Sequence, residues 1–303
     1  MNKKIRIVEL KISYLCNQKC YFCLFEDRKN FSLMSKEEVF KNLSYIKEKV
    51  KPDAMILSGG ESTIHPNFNE IVKFIAEKIK PGAMSIHTNA LYFKKKENLA
   101  KIPKYTSFFI SFNAATQKTY EEMSGVKRSV NDIIKGIENI KKKGHIVNIS
   151  CIITKDNLKE FEKICQILSI LKVDSVQICI PFLNKKTIHI KNKLAFTSEE
   201  LKENLEKGIK ILKNNNILYY FQHKPLCFMR ESFTFSPKDI KKEYYFFDKW
   251  HQYKNYTKNP KQLNAIINNF FERYYYGKKC RKCKLREKCK GVPLEHKGIY
   301  HIK

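Results

Sequence analysis

Apolar runs of strand length alternate with stretches of helical period from the first residues to about residue 215, and no other feature restricts the fold as strongly. The strand-like runs are Ile5–Ser13, Ala54–Leu57, Met84–Thr88, Ser107–Phe112, Ile146–Ile153 and Ser175–Ile180. The helical stretches are Ser35–Val50, Asn67–Ile79, Lys94–Ala100, Val130–Lys143, Leu158–Leu171 and Ser198–Asn214. Two carry start signals: Ser35-Lys-Glu-Glu and Thr197-Ser-Glu-Glu each set a hydroxyl at an N-cap and carboxylates in the first turn. Strands and helices in series imply a parallel sheet with helices outside it. Six such units fall short of the eight of a closed barrel. The expected fold class is therefore α/β, a partial (β/α)6 TIM-like barrel. After Leu218 the alternation stops, and residues 219–276 are rich in Tyr, Phe, Lys and Asn without a clean period. The expected domains are 1–217, the barrel, and 218–303, a small Cys-rich extension.

Composition narrows the function classes. Of 303 residues, 43% are hydrophobic and 13% aromatic, which excludes global disorder. No apolar run reaches 18 residues, so no membrane span is expected. The N-terminus lacks the apolar region and cleavage site of a signal peptide, and a cytoplasmic location is expected. The 59 Lys+Arg against 30 Asp+Glu give a net charge of +29. Such a charge suits an RNA partner. It also fits a solvated Lys surface, and the spread of Lys along the whole chain favours that plainer reading. In Lys241–Tyr256, aromatics interleaved with basic residues could stack bases; a packed aromatic face explains them as well. A second cluster, Phe270–Tyr276, is expected to pack the extension on the barrel.

Ten cysteines in a reducing compartment point to metal or catalysis rather than disulfides. Cys151, Cys165 and Cys179 sit in apolar periodic stretches and read as core residues. Cys16-Asn-Gln-Lys-Cys20-Tyr-Phe-Cys23 follows the first strand directly. Three thiolates can hold three irons of a [4Fe-4S] cluster and leave the fourth open. Zinc is the alternative, but structural zinc sites close all four positions. No fourth Cys or His lies near this loop in sequence, so the spacing favours iron–sulfur.

The same residues carry a family resemblance. C-x3-C-x-Φ-C, with Phe22 as the aromatic, resembles the signature of radical SAM enzymes. Ser58-Gly59-Gly60-Glu61 ends the second strand and is similar to the family's Gly-Gly-Glu motif, with His65-Pro66 shortly after. The resemblance covers roughly residues 5–217. It implies that Cys16, Cys20 and Cys23 bind a [4Fe-4S] cluster. It also implies that Gly59, Gly60 and Glu61 hold the amino group of S-adenosylmethionine (SAM), and that Phe22 lies against its adenine side. Asn89, in Thr88-Asn89-Ala90, looks like the family's Thr-Asn-Gly, with Ala at a position where φ > 0 disfavours it. Ser111, Asn113 and Ser150 are implied polar contacts to SAM; each also reads as a satisfied strand-end residue. The implied chemistry is reductive cleavage of SAM to a 5′-deoxyadenosyl radical that abstracts a substrate hydrogen.

Cys280-Arg-Lys-Cys283, with Cys289 six residues on, resembles the auxiliary-cluster segment of SPASM or shorter twitch extensions. Cys227 is the candidate fourth ligand of a second [4Fe-4S] cluster; a four-cysteine zinc knuckle is the alternative. The expected substrate is a peptide or protein, with RNA or a cofactor precursor as the enzymatic alternative. The expected electron donor is a flavodoxin or ferredoxin. A non-catalytic iron–sulfur or zinc nucleic-acid-binding protein remains the reading from a different class. His87, His65 and Tyr120 are acid–base candidates that sequence leaves unplaced.

Overall fold

The structure is a computed structural model of the chain. It describes residues 5–23, 32–181, 188–194, 196–222, 242–247, 274–276, 278–284, 286 and 292–293. Eight of its strands form one sheet in the order β7-β6-β5-β4-β3-β2-β1-β8. These are β1 Ile5–Ser13, β2 Ala54–Gly59, β3 Ala83–Thr88, β4 Ser107–Ser111, β5 Ile146–Ile152, β6 Ser175–Cys179, β7 Leu218–Gln222 and β8 Lys242–Phe247. Every neighbouring pair is parallel. Among the described residues β7 and β8 are the free edges, so the sheet is an open α/β barrel of the expected class.

Alternation along each strand explains why the sheet buries one face. In β1, Val8, Leu10 and Ile12 are fully buried, while Glu9 and Lys11 point to the other side. Met55, Leu57, Ile86, Phe108, Ile110, Val147, Ile149, Cys151, Val176 and Ile178 continue the apolar face across the sheet. Helices cover that face through Val39, Leu43, Ile71, Ile137, Ile164 and Leu205. Each fully buried side chain of this kind contributes about 1.5–3 kcal/mol. Cys151 and Cys165 belong to this core, and burial pushes both thiols up.

The helices are α1 Lys36–Tyr45, α2 Phe68–Phe74, α3 Gln117–Ser124, α4 Val130–Lys142, α5 Lys155–Leu158, α6 Phe161–Ile170 and α7 Ser198–Asn214. Ser35 and Thr197 form the expected capping boxes with Glu38 and Glu200. α1 and α2 each run into a wider π-helical turn, ending at the left-handed residues Lys51 and Lys80.

The structure differs from the sequence reading at four places. Lys94–Ala100 is not an α-helix but part of two 3-10 turns, Leu91–Lys94 and Lys96–Leu99, with Lys95 extended between them. Three successive lysines offer no apolar face there. α3 was not expected; Thr116 caps it, and Glu160 reaches back from the chain before α6. That carboxylate accepts from Ala115 N, Thr116 N, Thr116 Oγ1 and Thr119 Oγ1. The stretch Leu158–Leu171 is split, with α5 ending at Leu158 and α6 starting at Phe161. Finally, the sheet reaches past residue 217: β7 extends it beside β6 and β8 beside β1.

Farther on, Tyr274–Tyr275 (β9) pairs antiparallel with Val292–Pro293 (β10). This ladder closes the loop that carries Cys280 and Cys283. Cys227, Cys289 and the aromatic–basic residues 248–256 lie outside the described residues. No helix among the described residues is long and apolar enough to cross a membrane.

Candidate cofactor and active site

β1 pairs regularly with β2 until its register shifts between Lys11 and Ser13. Such a bulge redirects a strand end next to a functional site. Beyond it the chain turns into the loop of Cys16, Cys20 and Cys23. Backbone bonds tie that turn to the end of β2: Gly60 N donates to Ser13 O at 2.7 Å and Glu61 N to Leu15 O at 2.8 Å. The two glycines are required by this approach. A Cβ on Gly59 (φ +143) would stand 2.0 Å from Ser13 O, and one on Gly60 would stand 2.3 Å from Leu15 O. The Gly-Gly turn thus seats the backbone that leads into the cysteine loop.

Glu61 is 1% exposed. Its Oε1 accepts from Thr63 N, Thr63 Oγ1 and Thr88 Oγ1, and its Oε2 from Asn89 N at 2.7 Å. Burial pushes this carboxyl up, against the opposing pull of the Thr63, Asn89 and Thr88 donors. The carboxylate therefore locks the end of β2 to the end of β3, and Oε2 keeps one acceptor position. Asn89 extends the lock: its Nδ2 donates to Asn17 Oδ1 at 2.6 Å, inside the cysteine loop. Ala90 takes φ 64, so the left-handed geometry expected of a glycine is kept despite the side chain. Gly136 on α4 makes room, since a Cβ there would lie 2.3 Å from Ala90 O.

Cys16, Cys20, Cys23, Phe22, Ser58, Gly59, Gly60, Glu61, Asn89, Ser111 and Asn113 all line one pocket of about 350 Å³ at the C-terminal ends of the strands. Open α/β folds place their sites at that end. Ser150 pairs with Ser111 in the ladder but is not a lining residue. Asn113 spends its Oδ1 on Ile152 N, leaving its amide nitrogen to offer. Ser58 donates to Glu9 Oε1 at 2.6 Å.

The acid–base candidates separate. His65 uses both ring nitrogens, one with Met34 O and one with Asn67 N, and is a structural clamp. Tyr120 accepts from Gln18 Nε2 at 3.0 Å, beneath the cysteine loop. Only His87 of the three lines the pocket. Its ring lies 4.9 Å from that of Phe109. Burial lowers its pKa, with Glu9 and Lys11 pulling in opposite directions.

Sequence reasoning missed Glu9 and Lys11, which face the pocket and lie 3.8 Å apart. Charges at every second position of a strand were the available signal. Cys179 is buried as expected, but it faces inward, with Sγ 3.1 Å from Gln222 Oε1; burial holds its pKa at about 12.

The three loop cysteines are in no disulfide and are half-exposed. No three His, Cys, Asp or Glu side chains among the described residues gather as ligands of one ion. All three line the same pocket, and three thiols are the donor set that a cluster with one open iron takes. Cys280 and Cys283 are also half-exposed, joined by a bond from Cys283 N to Cys280 O.

Known proteins share part of this sequence and its fold. The chain is 23% identical over 173 residues to a probable GTP 3',8-cyclase of Saccharolobus solfataricus, covering 56% of this chain and 55% of the relative. The match thus spans about half the length of that curated relative. Streptococcus suis SuiB bound to S-adenosylmethionine aligns over 97% of this chain and 74% of its own, with TM-score 0.65 and 18% identity. Native anSMEcpe, with bound AdoMet and the Cp18Cys peptide, aligns over 99% of this chain and 92% of its own, with TM-score 0.59 and 15% identity. The Radical SAM superfamily model matches residues 10–168, more than half of the chain, and every residue of the cysteine loop and the Gly-Gly-Glu turn lies within that match. The chain is a member of the radical SAM superfamily.

Proposed function

We propose that the chain is a radical SAM enzyme that modifies a peptide or protein. One observation carries the enzymatic reading: three cysteines and the Gly-Gly-Glu turn open on a single pocket at the C-terminal strand ends. Cys16, Cys20 and Cys23 would hold a [4Fe-4S] cluster, whose bound SAM supplies a radical for hydrogen abstraction when reduced. The chain's own residues do the rest. Glu61 Oε2, with the Gly59–Gly60 backbone, takes the amino group of SAM. Ser111 and the Asn113 amide offer polar contacts, and Phe22 packs beside the cofactor. Ser150, on the neighbouring strand, does not line the pocket and supports Ser111 only through the ladder. His87, beside Glu9 and Lys11 on the pocket lining, can give or take a proton there.

The peptide reading draws support from the whole-chain likeness to SuiB and to anSMEcpe, the latter bound to a peptide. Residues 218–303, apart from β7 and β8, which belong to the barrel sheet, supply an auxiliary extension of SPASM or twitch type. Its Cys227, Cys280, Cys283 and Cys289 hold a second [4Fe-4S] cluster, and β9 with β10 draws the ends of that loop together. Ten cysteines in one chain suit the reducing cytoplasm better as cluster ligands than as disulfides, and a flavodoxin or ferredoxin would supply the electron there. The curated relatives favour a second reading, a nucleotide substrate.

Incubation of the reduced, SAM-loaded enzyme with GTP and, separately, with bulk RNA decides between them by mass spectrometry. The peptide reading expects both to be returned unchanged while SAM is still cleaved. Conversion of either, in step with SAM consumption, would overturn it.

A further inference from the structure

Three residues outside the cysteine motif grip the loop from its outer side. Tyr21 stands between Cys20 and Cys23. Its hydroxyl donates to Asp156 Oδ2 at 2.7 Å and lies 2.9 Å from Thr154 Oγ1. Lys193 Nζ lies 2.6 Å from the same Asp156 oxygen and 4.3 Å from the centre of the Tyr21 ring. One carboxylate oxygen therefore joins three segments: the cysteine loop, the start of α5, and the turn Ile188–Leu194. Thr154 is fully buried and the Asp156 side chain is 19% exposed, against 42% for Lys193, so solvent screens the Asp156 end less than the Lys193 end.

Apolar packing backs the polar contact. Phe22, Met123, Ile190 and Leu194 form a small cluster of their own, with Cys20, Tyr21 and Ile152 against it. The first half of the loop is held differently, on α3, where Lys19 N donates to Ser124 O at 2.7 Å. Tyr21 supplies the long-range hydrogen bonds of the second half, which carries Cys20 and Cys23.

We propose that Tyr21, Asp156 and Lys193 form a latch that positions Cys20 and Cys23 for the cluster, with Tyr21 as the positioning residue. The proposal rests on the reading that this loop holds an iron–sulfur cluster. A cluster needs its three cysteines held in one arrangement, and a short loop keeps that arrangement better when contacts from outside fix it. The latch does so through the half-buried Tyr21 hydroxyl, and the Lys193 ammonium holds the same Asp156 oxygen and lies over the Tyr21 ring. Loss of a partner that orients metal ligands typically costs about 10–100-fold in metal affinity.

The test uses the reconstituted full chain as wild type, Tyr21→Phe, Asp156→Asn and the double variant. Iron transfer to a chelator is timed without oxygen, and the reduced cluster is examined by electron paramagnetic resonance with and without SAM. The latch expects Tyr21→Phe to lose iron about 10-fold faster or more, to melt near the wild-type temperature, and to show a weakened SAM-dependent spectral change. The double variant should lose iron no faster than the worse single variant, because both remove one contact. Wild-type iron retention with an unaltered spectrum in Tyr21→Phe would overturn the proposal, as would effects that multiply in the double variant. Should Asp156→Asn fail to fold, Lys193→Met takes its place under the same criteria. Wild-type protein that takes up no iron would remove the cluster reading and the latch together, a result distinct from a stable cluster indifferent to Tyr21→Phe.

Discussion

Phe108 and Phe109 are neighbours on β4 and live in different chemistry. Phe108 is fully buried on the helix-covered face, edge-on to Phe93 at 5.2 Å. Phe109 faces the pocket beside His87. The same division runs through the other strands. Val8 and Leu10 face the helices while Glu9 and Lys11 face the pocket, and Leu57 stands against Ser58, Ile86 against His87. One face holds the fold together, and the other sets Glu9, Lys11, Ser58 and His87 among Phe22, Phe109 and Ile152 around the pocket. Strand periodicity makes both possible in one sheet, and a slip of one residue would exchange them.

The division can be broken most forcefully at Phe108. Phe108→Ala should destabilise the protein by about 3–5 kcal/mol, measured by denaturant unfolding, while the fraction still folded keeps its affinity for SAM. Phe109→Ala should leave stability within about 1 kcal/mol of wild type and weaken ligand binding in the pocket. Equal stability losses at the two positions would erase the distinction.

Glu61 lies where the two regions meet. Glu61→Gln keeps the shape but sets an NH2 group against the donors now facing the carboxylate. The expected loss is about 1–3 kcal/mol in stability, accompanied by weaker SAM binding in calorimetry. A change in binding without one in stability would make Glu61 a ligand contact alone.

Titration sharpens the contrast between the pocket and the opposite end of the sheet. His145 is buried just before β5, and burial, with Lys143 nearby, lowers its pKa. The unfolded chain then binds the proton more readily, so stability falls as pH drops below about 6.5. Burial raises Glu160, but its Thr116, Thr119 and Ala115 donors outweigh burial and leave it below the usual carboxylate range. Its contribution is present above about pH 4.5 and is lost as pH falls further. Glu61, shifted upward, has the opposite sign: its contribution is full below about pH 4.5 and fades as pH rises through its folded value. His145→Phe should flatten the first phase of acid destabilisation in pH-dependent melting curves and leave the lower one in place.

The smallest effect is expected at Ala90. Relief of its φ of 64 by Ala90→Gly should stabilise by no more than about 1 kcal/mol, since glycine also loosens the unfolded chain.

Much of this arrangement was legible in the sequence, for physical reasons. β1 and β4 were readable because period-2 alternation survives without knowledge of the partner strand. α1 and α7 were readable because their caps are local. α3 was hidden because its N-terminus depends on Glu160, more than forty residues away. The cysteine loop and the Gly-Gly-Glu turn were recognisable as motifs. The lock that Glu61 makes with Thr88 and Asn89, and the Tyr21–Asp156–Lys193 contact, are tertiary and leave no mark at helical or strand spacing. β7 was set beyond the barrel because Leu218–Gln222, aromatic and short, resembles the irregular residues that follow it.

The most direct test of the account compares wild type with the Cys16→Ala/Cys20→Ala/Cys23→Ala variant. Both are purified without oxygen, assayed for iron, sulfide and melting temperature, and given dithionite and SAM. The account predicts that wild type forms 5′-deoxyadenosine. The variant should form none, hold about four fewer irons, one cuboidal cluster, and melt close to wild type because the helix-covered face is untouched. Zinc in place of iron, SAM cleavage that survives the triple substitution, or a variant that fails to fold would contradict it.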